Sequence, residues 1–125
     1  MDATPTPKKR AKPAPLGQMT RDLFAELGFT VGKVEYFNPH TKRTNDLFGF
    51  ADFIAIKPEV GIIALQVCAL SAFAAHRTTI LDVPEARTWL EAGGRIQIVA
   101  WKKRTVPVMG KWWMERRTEI TLADF

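Results

Sequence analysis

Cys68 is the only cysteine in this chain of 125 residues, so an internal disulfide and any zinc site built on paired cysteines are ruled out. A reducing, cytoplasmic interior is the expected compartment. Long apolar runs are also missing. The longest, residues 61–75, is broken by Gln66 and Ser71 and is too short and too mixed to cross a bilayer. The basic residues near the N-terminus are followed by no apolar stretch, so neither a signal peptide nor a membrane anchor is expected. Acidic residues are outnumbered, 13 against 18 basic, for a net charge of +5. Lys8, Lys9, Arg10 and Lys12 against Asp2 place +3 of this in residues 1–18, leaving a body at +2. A mildly basic body with a basic extension suits an acidic partner such as nucleic acid.

Residues 1–18 are dense in Pro, Ala, Lys and Thr with almost nothing to bury, so they read as a flexible basic arm, either solvated or laid on DNA phosphates. Residues 19–125 carry the apolar content of one domain, not two. Met19, Leu23, Phe24 and Leu27 recur at helical spacing, with Thr20 as candidate N-cap and Gly28 as stop. Residues 31–37 alternate as a first strand and 38–45 form a polar loop. Strands two and three span 50–56 and 62–67 around a turn at 57–61. Residues 69–82 suit a helix, Pro84 opens another running to 91, and Gly93-Gly94 ends it. A fourth strand, 95–101, and a weaker fifth, 111–120, are joined by a loop over 102–110. The order predicts an α/β (α+β) domain with a mixed central sheet flanked by helices.

The hairpin around residues 57–61 carries the chemistry. Residues whose numbers share one sum face each other across such a turn, which sets Ile54 opposite Ala64 and Asp52 opposite Gln66. An acid and an amide then meet at one end of an apolar hairpin. Burying them among Ile, Leu and Val costs several kcal/mol unless partners or a metal satisfy them. Phe48, Phe50 and Phe53 around Asp52 read as core.

This order of helix, three-stranded meander, helix and strand, with Asp52 entering the second strand and Gln66 leaving the third, resembles the PD-(D/E)XK nuclease superfamily. The likeness is to small phage and archaeal-type Holliday-junction resolvases. Arg43-Thr44-Asn45-Asp46-Leu47-Phe48-Gly49-Phe50 also resembles the Arg-x-x-Asp-Leu-Phe-Gly-Phe stretch that precedes the acid in related phage and bacterial sequences. The resemblance covers residues 19–101. It implies a restriction-endonuclease-like αβββαβ core and a homodimeric, Mg²⁺- or Mn²⁺-dependent DNA endonuclease of the junction-resolving or repair type. By position it makes Asp52 a metal ligand, sets Gln66 where the second acidic ligand stands, and gives the Val67 carbonyl a place in the metal shell. Cys68 stands where the family has its lysine.

One carboxylate holds a divalent ion weakly, so a second is required. Glu26 lies on the shoulder of the first helix's apolar face, Glu35 sits on the first strand, and Asp46 lies on the approach to the second. Replacements for the missing lysine are His76 and Arg77 on the helix after strand three, or Lys42 and Arg43 ahead of Asp52. The strip Trp101-Lys102-Lys103-Arg104 with Lys111-Trp112-Trp113-Met114-Glu115-Arg116-Arg117 interleaves cations for phosphates with aromatics for unpaired bases. A strand with Trp inward and Lys or Arg outward accounts for the same pattern. Two other functions fit the chain: a catalytically silent DNA-binding module, favoured by Gln66 and Cys68, and a protein-interaction scaffold in which Asp52 and Gln66 only bond each other.

Overall fold

The computed structural model describes residues 15–104 and 110–125. A five-stranded mixed sheet in the order β1-β4-β5-β6-β7 lies between one helix on one face and two on the other. The elements are α1 (Pro15–Glu26), β1 (Thr30–Lys33), β2 (Tyr36–Asn38), β3 (Arg43–Asn45), β4 (Phe53–Lys57), β5 (Gly61–Ala69), α2 (Phe73–Asp82), α3 (Pro84–Glu91), β6 (Arg95–Arg104) and β7 (Lys111–Ile120). No helix of the described residues is long and apolar enough to cross a membrane.

α1 is already formed at Pro15, so residues 15–18 are helical rather than part of an arm, and residues 1–14 lie outside the described residues. The apolar stripe begins with Leu16, which is buried together with Thr20 and Phe24 at steps of four on one face. Thr20 is therefore an interior helix residue and not an N-cap. Its hydroxyl donates to the Leu16 carbonyl at 2.8 Å and accepts from Trp101 Nε1 at 2.9 Å, tying the helix to β6. Gly28, at φ 95°, ends the helix as expected.

The alternation over 31–37 does not make one strand. β1 pairs with β4 only as far as Lys33↔Phe53, after which the N–H groups of both Val34 and Glu35 donate to the single carbonyl of Asp52, at 3.0 and 3.3 Å. That shared acceptor turns the chain off the sheet. Tyr36–Asn38 then pairs with Arg43–Asn45 in a separate two-stranded ribbon, so part of the expected polar loop is strand. The second strand starts at Phe53 rather than at 50. Residues 47–51 form a tight loop closed by a Leu47↔Ala51 bridge, with Phe48 at φ 54° and Gly49 at φ 81°. Phe48 is thereby turned out to solvent, whereas Phe50 and Phe53 are buried.

The β4–β5 hairpin has the expected register, Ile54 facing Ala64. From β5 the chain crosses over through a 3₁₀ turn, α2 and α3 to β6, which runs parallel to β5. β6 is longer than the alternation suggested, reaching Arg104, and pairs antiparallel with β7. Side chains 96–101 are buried on both faces. Ile96, Ile98 and Ala100 pack with Phe73, Ile80 and Ala86 under α2 and α3, while Val99 and Trp101 pack with Leu16 and Phe24 under α1. A central strand covered on both sides reads as a continuous apolar run.

Candidate metal centre

Asp52 lies where three segments meet at one end of the sheet. Its backbone N–H donates to the Leu65 carbonyl at 2.8 Å, and its carbonyl holds Val34 and Glu35 as described, so its position is set from both neighbouring strands. Its carboxylate Oδ2 accepts from Gln66 Nε2 at 3.1 Å and from the Val67 backbone N–H at 2.9 Å. Asp52 and Gln66 are 8% and 5% exposed, and both point to the α2–α3 side of the sheet, the face that also takes Ala64 and Cys68. The pairing expected from the hairpin sum is present.

Two more acids converge there. Glu35 is carried in by its own N–H bond to the Asp52 carbonyl. Asp46 is carried in by the Leu47↔Ala51 bridge, whose flanking residues are 46 and 52. Carboxylate oxygens of Glu35, Asp46 and Asp52 lie within 4.8 Å of one another. Burial pushes the Asp52 carboxyl up to about 8; the Val67 N–H opposes this, and the charges of Asp46 and Glu35 add to it. Buried beside two other acids, the Asp52 carboxyl resists ionisation unless a cation joins it.

They open on a cavity of about 390 Å³ that Gln66, Cys68 and His76 also line. Burial lowers the pKa of His76, only partly offset by the Asp46 charge, so the imidazole is neutral near pH 7. Burial, with the Asp52 charge adding, pushes the Cys68 thiol up to about 11, which leaves it a small core residue.

Other expected residues lie elsewhere. Glu26 is exposed at the far end of α1. The helix touches the cavity through Leu16 and Gly17, and nine residues at ~1.5 Å each put Glu26 about 14 Å further along. Arg77 pairs with Asp124 at 3.1 Å and does not line the cavity. Lys42 and Arg43 are exposed on the β2–β3 ribbon, Lys42 in its turn at φ 61°. Lys102, Lys103 and Arg104 are exposed at the end of β6, with Arg104 ion-paired to Glu115. Asp46, expected only on the approach to the second strand, has a signal in the sequence: the sum rule that pairs 52 with 66 also pairs 46 with 52 about Gly49.

No protein-family model, curated protein or solved structure matches the chain. The site is therefore read from its own chemistry. An all-oxygen donor set of two or three carboxylates, with an amide carbonyl from Gln66 adjacent, suits a hard divalent cation such as Mg²⁺ or Mn²⁺ and does not suit a soft one.

Proposed function

We propose that the chain is a Mg²⁺- or Mn²⁺-dependent DNA endonuclease of the junction-resolving or repair type, acting as a homodimer. The observation that carries this reading is the convergence of Glu35, Asp46 and Asp52 within 4.8 Å beside Gln66. The strand order supports it: β1, β4 and β5 form a meander, α2 and α3 make the crossover, and β6 returns parallel, an order compatible with a restriction-endonuclease-like αβββαβ core.

Asp52, Asp46 and Glu35 would hold the cation, whose contribution when bound is to neutralise phosphate charge and acidify a water. Gln66 and the Val67 N–H orient the Asp52 carboxylate through Oδ2. His76 offers a hydrogen-bonding nitrogen at the cavity wall but no standing positive charge. Lys42, Arg43, Lys102 and Lys103 supply the exposed cations that draw DNA phosphates toward an acidic centre that would otherwise repel them.

A second reading, a silent DNA-binding module, is favoured by Cys68, an un-ionised buried thiol at the lysine position. Purified protein incubated with a four-way junction, a duplex and single-stranded DNA, with Mn²⁺ or Mg²⁺ and with chelator, separates the two. The nuclease is expected to cut in a metal-dependent manner, and Asp52→Asn is expected to reduce cutting at least about 10²-fold, the scale on which one electrostatic group contributes. Salt-sensitive binding without cutting at any metal concentration supports the silent module; neither binding nor cutting supports the scaffold.

A further inference from the structure

A second cavity, about 350 Å³, opens beside the first at the carboxyl ends of the parallel strands β5 and β6. Ala69 lines both cavities. The second is walled by Trp101 and Trp112 and rimmed by Lys102, Lys103 and Ser71. The Trp101 ring is buried and locked by its N–H bond to Thr20. Trp112 is half-buried on β7 directly across from Lys103, whose Nζ lies 5.6 Å from its ring centroid. One rigid aromatic wall, one partly open one and the Lys103 ammonium are thus set in a single recess, while Lys102 reaches its rim from the next position on β6.

We infer that this recess takes one unpaired nucleotide of a DNA strand, its base stacked on Trp112 and its phosphate held by Lys103. The inference rests on the proposed DNA-binding function and names what that site selects. Its volume is at the scale of a small-ligand pocket. Cationic rim and aromatic wall match the two faces of a nucleotide, anionic phosphate and flat base, and stacking requires a base whose face is not covered by a neighbour. From Val67, which binds Asp52, to Ala69 is two residues of β5, or about 7 Å at ~3.3 Å each. The recess and the acids are thus neighbours along β5. A strand seated in the recess therefore reaches the acids with a phosphate close to the unpaired position, which directs the site to branch points, gaps and flaps.

The test is anisotropy of a labelled oligothymidine and of a labelled blunt duplex, in chelator so that nothing is cut. Trp112→Ala is expected to weaken oligothymidine binding about 5- to 150-fold, the range for losing one stacked base, with duplex binding changed less than about twofold. Trp112→Phe, which keeps a stacking ring and most of the packing, is expected to recover most of the loss. Lys103→Gln, at an exposed position, is expected to weaken oligothymidine several-fold in a folded protein. Equal losses on both probes, no loss with either variant, or no recovery with Trp112→Phe would overturn the subsite. Metal-dependent cutting is scored separately with Asp52→Asn. Trp112-dependent binding in a protein that never cuts retains the subsite and removes the nuclease; Asp52-dependent cutting with no Trp112 effect does the reverse.

Discussion

At Asp52, a buried carboxyl accepts two N–H bonds yet is held near pKa 8, because burial and two neighbouring acids outweigh the donors. Between the ordinary carboxyl pKa near 4 and this raised value, the folded protein keeps a proton that the unfolded chain has released. Stability therefore falls as pH rises through that window, by at most about 1.4 kcal/mol per pH unit for one proton. The paired surface carboxylates Glu119 and Asp124, whose pKa values are lowered by Arg95 and by the Thr121 N–H respectively, act in the opposite sense at lower pH. Urea unfolding in chelator from pH 5 to 8 is expected to show this decline, and Asp52→Asn is expected to flatten it; equal slopes in both proteins would contradict the assignment. A cation entering the site must displace the same proton, so Mn²⁺ affinity is expected to climb toward pH 8.

Among the elements, α1 shows how one polar contact sets a helix on a sheet. Thr20 is fully buried, and its hydroxyl is the acceptor for Trp101 Nε1. Thr20→Val conserves shape but leaves that indole N–H unsatisfied, and is expected to cost about 1–3 kcal/mol in urea unfolding. Thr20→Ser keeps the bond and loses a methyl, for a cost near ~1 kcal/mol. The α3–β6 junction is equally constrained: a Cβ at Gly94 would come within 2.3 Å of Trp89 Nε1, whose N–H donates to the Arg95 carbonyl at 2.8 Å. A strong local signal, Pro84, made α3 legible, while 111–120, read as a weaker strand, forms β7 with those bounds. The 31–37 segment failed as a strand because its alternation is the same whether it follows β4 or peels away, and the Asp52 carbonyl decides which.

For the whole molecule, charge is divided between a nearly balanced body and residues 1–14, which contain four basic side chains against one acid. If DNA is the partner, each of those cations on a phosphate steepens the salt dependence by about one unit of log K per log salt. Removing residues 1–14 is expected to make that slope shallower by about 1–4 units; an unchanged slope would place those cations off the DNA.

Composition and spacing alone determined the mixed α+β class, the β4–β5 register, the crossover helices and the meeting of Asp52 with Gln66, because each rests on local periodicity or a short turn. Tertiary structure decided which acids join them. Glu26 and Glu35 are both eligible in one dimension, yet the length of α1 carries one away while a shared backbone acceptor draws the other in. Asp46 arrives through a bridge around Gly49, and the recess at Trp112 forms where the ends of β5 and β6 meet β7, a juxtaposition of residues far apart in the chain that no local pattern encodes.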